Sequence, residues 1–113
     1  MAASNHLLTA PPYPVEQALK RLGTNLRTAR VRRRLTIKDV AQRIGTGIRA
    51  VADAEKGKPS TSIATYAALL WAFGLLDDFG LIADPARDAE GQTLARAREG
   101  SRVRPRAGLD NDF

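Results

Sequence analysis

The chain has 113 residues, 43% of them hydrophobic, no cysteine and a formal net charge of +6 at pH 7. That length fits one small domain with tails and leaves little room for a deep catalytic cleft. The lack of cysteine excludes disulfides, thiolate metal sites and a cysteine nucleophile, which suits a reducing, cytoplasmic setting.

Residues 1–14, MAASNHLLTAPPYP, hold few core formers and end in a proline cluster that favours extended backbone, so a mobile arm is expected. The arm has neither the basic start nor the continuous apolar run of a secretion signal. No stretch of the chain reaches the roughly 18 apolar residues of a membrane span. His6 stands alone there and makes no metal site.

From Val15, with Pro14 in the first turn, Leu19, Leu22, Leu26 and Ala29 recur at helical spacing and predict a first helix to about Arg33, weakened by Gly23. Thr36 is suited to cap a second helix, with Asp39 three residues on and Ile37, Val40, Ala41 and Ile44 as its apolar stripe. Gly45 can supply the left-handed residue that stops it. A third helix runs from about Gly47 to Lys56, burying Val51 and Ala54, and Gly57 and Pro59 end it.

The segment SIATYAALLWAFGLL predicts a fourth helix, capped by Thr61 or Ser62 and closed by Gly74, apolar almost all round. Such a helix is central to a core or buried against a second chain, and Tyr66, Leu70, Trp71 and Phe73 are its core or dimer candidates. DDFGLIA predicts a short fifth helix capped by Asp77 or Asp78 and ended by Asp84-Pro85. RDAEGQTLARAR predicts one more weak, polar helix. The Arg-rich segment after it has too little apolar surface to offset its ordering entropy. The expected organisation is an arm over 1–14, a helical domain over 15–84 and a weakly helical to disordered basic tail over 85–113.

Charge is unevenly placed. Twelve of the 18 Lys and Arg residues precede Pro59, against Glu16, Asp39, Asp53 and Glu55. From Pro59 to Pro85 there are no cations, and Arg87, Arg96, Arg98, Arg102, Arg104 and Arg106 then return among acids. This asymmetry suits a polyanion, most simply nucleic acid. A solvated basic surface that only keeps the protein soluble would also show it. The chain has no GxxxxGK[ST] or HExxH motif, and Gly45-Thr46-Gly47 lacks the strand context of a dinucleotide site, so neither catalysis nor a cofactor is expected.

Short helices with a tight turn between the second and third make a helix-turn-helix, whose second motif helix docks in the DNA major groove. LTIKDVAQRIGTGIRAVADAEKGKPS resembles the Xre/Cro family of repressors: Ala41 matches the small residue where the two helices touch, Gly45 the turn, Val51 the buried β-branched position, and Glu55 with Gly57 the exit. The resemblance implies an all-α, five-helix, lambda-repressor-like domain that binds double-stranded DNA as a homodimer on a pseudo-palindromic operator. LGTNLRTAR, AEKGKPST, LLWAFGLL and ADPARDAEG together are similar to antitoxin regulators of the HipB kind, which implies a HipA-type serine/threonine kinase toxin as partner.

Carried onto this chain, base reading falls to Gly47, Ile48, Arg49, Ala52 and Asp53. Arg49 suits guanine O6 and N7, Asp53 a cytosine amine or the orientation of Arg49, and Ile48 and Ala52 thymine methyls. Phosphate contacts fall to Arg32, Arg33, Arg34, Thr36, Lys38, Arg43, Thr46, Lys56 and Lys58. The chain departs from the family at Ile37, where Gln is usual, and at Gly47, Ile48, Ala50 and Ala52, where polar residues are usual. A helix-turn-helix scaffold that binds protein without reading DNA therefore stands as the alternative.

Overall fold

A computed structural model describes residues 5–103. Among them every regular element is helical: α1 (His6–Thr9), α2 (Tyr13–Arg32), α3 (Ile37–Ile44), α4 (Ile48–Glu55), α5 (Ile63–Ala72), 3-10 helices at Leu76–Leu81 and Pro85–Arg87, and α6 (Ala89–Val103). The chain divides into two compact units, with the boundary between Phe79 and Gly80.

In the first unit, α1 is a single turn inside the expected arm. The Asn5 side chain accepts from the Leu7 amide and supplies the cap that makes this turn possible. Helix α2 starts two residues earlier than its apolar repeat suggests, and Pro14 occupies its first turn. Its end has no glycine: Arg34 takes the left-handed conformation (φ 55°), and the Leu35 amide reaches back to the Arg30 carbonyl.

Helix α3 is closed at both ends by its own sequence. The Thr36 hydroxyl accepts from the Asp39 amide at 3.0 Å, and the Asp39 carboxylate accepts from the Thr36 amide at 2.9 Å. These bonds, backbone first and hydroxyl second, hold the Asp39 carboxyl below its ordinary pKa. The box is therefore intact at neutral pH, above the unfolded carboxyl's pKa, and is lost as pH falls through the lowered folded value. At the far end Gly45 is left-handed (φ 78°), and the Thr46 amide donates to Ala41.

The core gathers Leu26 and Ala29 of α2, Val40 and Ala41 of α3, Val51 and Ala54 of α4, Tyr66 and Leu69 of α5, and Phe73 just beyond it. Gly23, expected only to weaken α2, is a packing residue: a Cβ there would lie 2.6–2.8 Å from the Ala54 and Glu55 carbonyl groups. Helix α5 begins at the Ser62 cap, which accepts from the Thr65 amide. Its four candidates divide. Tyr66 and Phe73 are buried, Leu70 packs half-buried against the core, and Trp71 is 59% exposed.

The expected fifth helix forms as the 3-10 helix Leu76–Leu81. The segment is short, and Gly80 lies within it, so the tighter i→i+3 pattern serves where a full α-turn would be poorly supported. In the second unit, Asp84 caps the 3-10 helix Pro85–Arg87 by accepting from the Ala86 amide. The Gln92 amide group donates to the Pro85 and Ala86 carbonyls and ties α6 to it. Helix α6 continues to Val103, past the Glu99 position where sequence composition suggests disorder. Arg104, Arg106 and the terminal GLDNDF lie outside the described residues.

Candidate nucleic-acid interface

Helices α3 and α4 are joined by Gly45, Thr46 and Gly47, and the two helices pack through Val40, Ala41, Val51 and Ala54. Burying Val51 and Ala54 turns the opposite side of α4 outward. Arg49 is exposed there, Ile48 is 53% exposed at the first turn, and Ala52 is half-buried. Gly47 caps α4 in extended backbone with no side-chain bond, so the first amides of this helix are left for an external acceptor.

The position of α4 is fixed by a contact that the sequence reading does not contain. Arg30 on α2 donates to Glu55 through Nε to Oε2 at 2.6 Å and Nη2 to Oε1 at 3.0 Å, while its Nη1 donates to the Leu35 carbonyl at 2.8 Å. The two side chains are 12% and 8% exposed. One guanidinium thus joins the α2 terminus, the α2–α3 loop and the last residue of α4. The hydrogen bond to Glu55 raises the Arg30 pKa, so the charged form holds throughout the physiological range.

Gly57 then brings the α4 exit against α2. Its backbone is left-handed (φ 70°), and the Lys58 amide donates to the Asp53 carbonyl. Lys58 Nζ pairs with Asp53 at 3.4 Å. Asp53, for which the sequence suggests either a cytosine amine or the orientation of Arg49, is thus paired with Lys58 through Oδ1. The Tyr66 hydroxyl donates to the Lys58 carbonyl at 3.3 Å, which anchors the same loop. Burial pushes the Tyr66 phenol above its ordinary pKa and keeps it neutral.

Of the candidate phosphate contacts, Arg32, Arg34, Thr36, Lys38, Arg43, Thr46, Lys56 and Lys58 are exposed, at the end of α2, along α3, in the turn and after α4. Arg33 is differently engaged. Its guanidinium donates to the Ala29 and Phe73 carbonyls, each at 2.9 Å, and lies 5.3 Å from the Phe73 ring centre. Two of its donors thereby close two helix ends, while the residue itself remains exposed. Arg49 and Asp53 share a shallow groove with Ser60 and Ser62, just ahead of α5. Among the described residues no group of three or more His, Asp or Glu residues is placed to hold a metal ion. No helix there is long and apolar enough to cross a membrane.

A family model described as a helix-turn-helix domain matches residues 21–78, more than half of the chain. The chain belongs to the helix-turn-helix domain family. The matched span takes in most of α2 and all of α3, α4 and α5, including the Arg30–Glu55 pair. This is a DNA-binding family, and its members are typically not enzymes. No curated protein and no solved structure matches the chain.

Proposed function

We propose that the protein is a sequence-specific, double-stranded DNA-binding transcriptional repressor of the Xre/Cro type, with α4 as its reading helix. The observation that carries this is the exposed Ile48–Arg49 edge of α4, held in place by the Arg30–Glu55 pair within a helix-turn-helix. Gly47 lets the duplex approach closely, Ile48 and Ala52 meet thymine methyls, Arg49 takes guanine, and Asp53 with its partner Lys58 edges the contact. Thr36, Lys38, Arg43, Thr46, Lys56 and Lys58 hold the phosphates, joined by Arg32 and Arg34.

A homodimer completes the proposed reading unit. Ile63 (70% exposed), Trp71 (59%) and Leu75 (40%) leave an apolar outer face on and just after α5 that a second copy can cover. Two copies impose two-fold symmetry on the operator. The likeness to HipB-type antitoxins supports an autorepressor of a toxin–antitoxin operon, paired with a HipA-type kinase and acting in the cytoplasm. Within that proposal, residues 1–14 serve as an arm, 15–84 as the DNA-binding domain and 85–113 as the segment that meets the kinase.

One observation favours the scaffold reading: α4 offers few polar readers, with Ala50 and Ala52 along it and Asp53 engaged by Lys58. Selection from random duplex DNA with the purified protein separates the two. The repressor should enrich an inverted repeat whose half-sites lie about one helical turn apart. A scaffold should enrich nothing, and any DNA binding it has should vanish with salt irrespective of sequence.

A further inference from the structure

The exposed face of α2 carries charge that base reading does not use. Lys20, Arg21, Thr24, Arg27 and Thr28 are all exposed and fall on one face at the helical repeat. At about 100° per residue this face is centred roughly a third of a turn around α2 from the Gly23–Arg30 line that meets α4. Lys20, Arg21, Thr24 and Asn25 line a shallow concavity on it. Between Gln17 and Lys38 the chain has no acid, and among the described residues Glu16, 3.2 Å from Lys20, is the one carboxylate paired with this face.

A face that serves solubility mixes both signs of charge throughout, whereas here the acid is confined to Glu16 at the N-terminal edge. A protein interface centres on aromatic or large apolar anchors; the exposed ones along this face, Tyr13 (70%) and Val31 (50%), stand beyond the two ends of the cation row and not within it. What remains is a row of forked and pointed cations interleaved with short hydroxyl donors. That chemistry suits phosphate oxygens. From Lys20 to Arg27 the helix rises about 10 Å, over which a duplex presents about six phosphates, so each cation can meet its own.

We propose that the outer face of α2 is a second, sequence-independent surface for the phosphate backbone of a further DNA duplex, so that one protein molecule joins two DNA segments. The test attaches one duplex to beads and measures two things: retention of the protein on it, and capture of a second, labelled, random-sequence duplex. The first duplex is the site enriched by selection, or random-sequence DNA if selection enriches none, so failure of base reading shows separately from failure of the second surface.

Arg21→Glu/Arg27→Glu, both at exposed positions, should cut capture of the second duplex by about tenfold or more at low salt and change retention on the first by less than about twofold. Arg21→Lys/Arg27→Lys should keep capture. Unchanged capture in the charge-reversed protein would overturn the proposal and leave the face to solvent or an acidic protein. An equal loss of retention and capture would also overturn it, by making α2 part of the same interface as α4.

Discussion

Arg30→Ala is expected to destabilise the first unit by about 3–5 kcal/mol, because it leaves the Glu55 carboxylate nearly buried without its partner. Natural domains are stable by only about 5–15 kcal/mol, so the variant should be partly unfolded at modest temperature or denaturant. The loss has two parts. Glu55 loses two charge-assisted bonds, and the Leu35 carbonyl loses its donor. Urea unfolding of Arg30→Ala and of Arg30→Met/Glu55→Leu separates charge burial from packing. The apolar pair should recover most of the loss, since replacing both ions removes the unpaired charge. A cost below about 1 kcal/mol for Arg30→Ala would mean that the pair behaves as an exposed one.

Gly57→Ala should cost roughly 2–5 kcal/mol, from two sources acting together. A left-handed backbone costs a residue with a Cβ about 1–2 kcal/mol, and φ is 70° here. The added Cβ would also lie 2.5 Å from the Leu19 carbonyl oxygen and 2.7 Å from the Lys20 Cα, so α2 and the α4 exit must separate, at about 1–3 kcal/mol. Gly45→Ala is the comparison. Gly45 has a similar φ of 78°, but nothing lies within 4 Å of its Cβ position, so only the conformational cost of about 1–2 kcal/mol remains. Equal losses in the two variants, read from thermal or urea unfolding, would show that the approach of α2 to Gly57 contributes nothing.

What was legible in the sequence was local. Thr36 with Asp39, Gly45, Ser62 and Gly57 each fix backbone within a few residues of themselves, so their helix ends follow from residue type and spacing. The apolar stripes of α3 and α4 also follow, because only one face of each short helix can be buried. The tertiary choices were not legible. Arg30 is one of eight cations between Lys20 and Lys38, and nothing in its neighbours distinguishes it from Arg27 or Arg32; its partner lies 25 residues away.

Arg33 was hidden the same way, since its acceptors are backbone carbonyls, which every residue has. Gly23 reads as a helix breaker until the α4 carbonyls are seen against it. On α5, uniform apolarity gives no phase, so burial of Tyr66 and Phe73 with exposure of Trp71 is decided only by packing. Asp53 at the edge of the interface shows the same limit: its pairing with Lys58 depends on the turn that Gly57 makes.

Whether α4 reads bases is most directly measured by comparing Arg49→Ala with Lys56→Ala on the selected duplex and on each of its single base-pair variants. Arg49 and Lys56 are both exposed, so neither change should unfold the protein. The expected result is asymmetric. Arg49→Ala should weaken binding to the selected site by about 1–3 kcal/mol and abolish preference at one base pair of each half-site, while Lys56→Ala weakens every sequence alike and lowers the salt slope by about one. Equal losses for both variants on every duplex would contradict a reading role for α4.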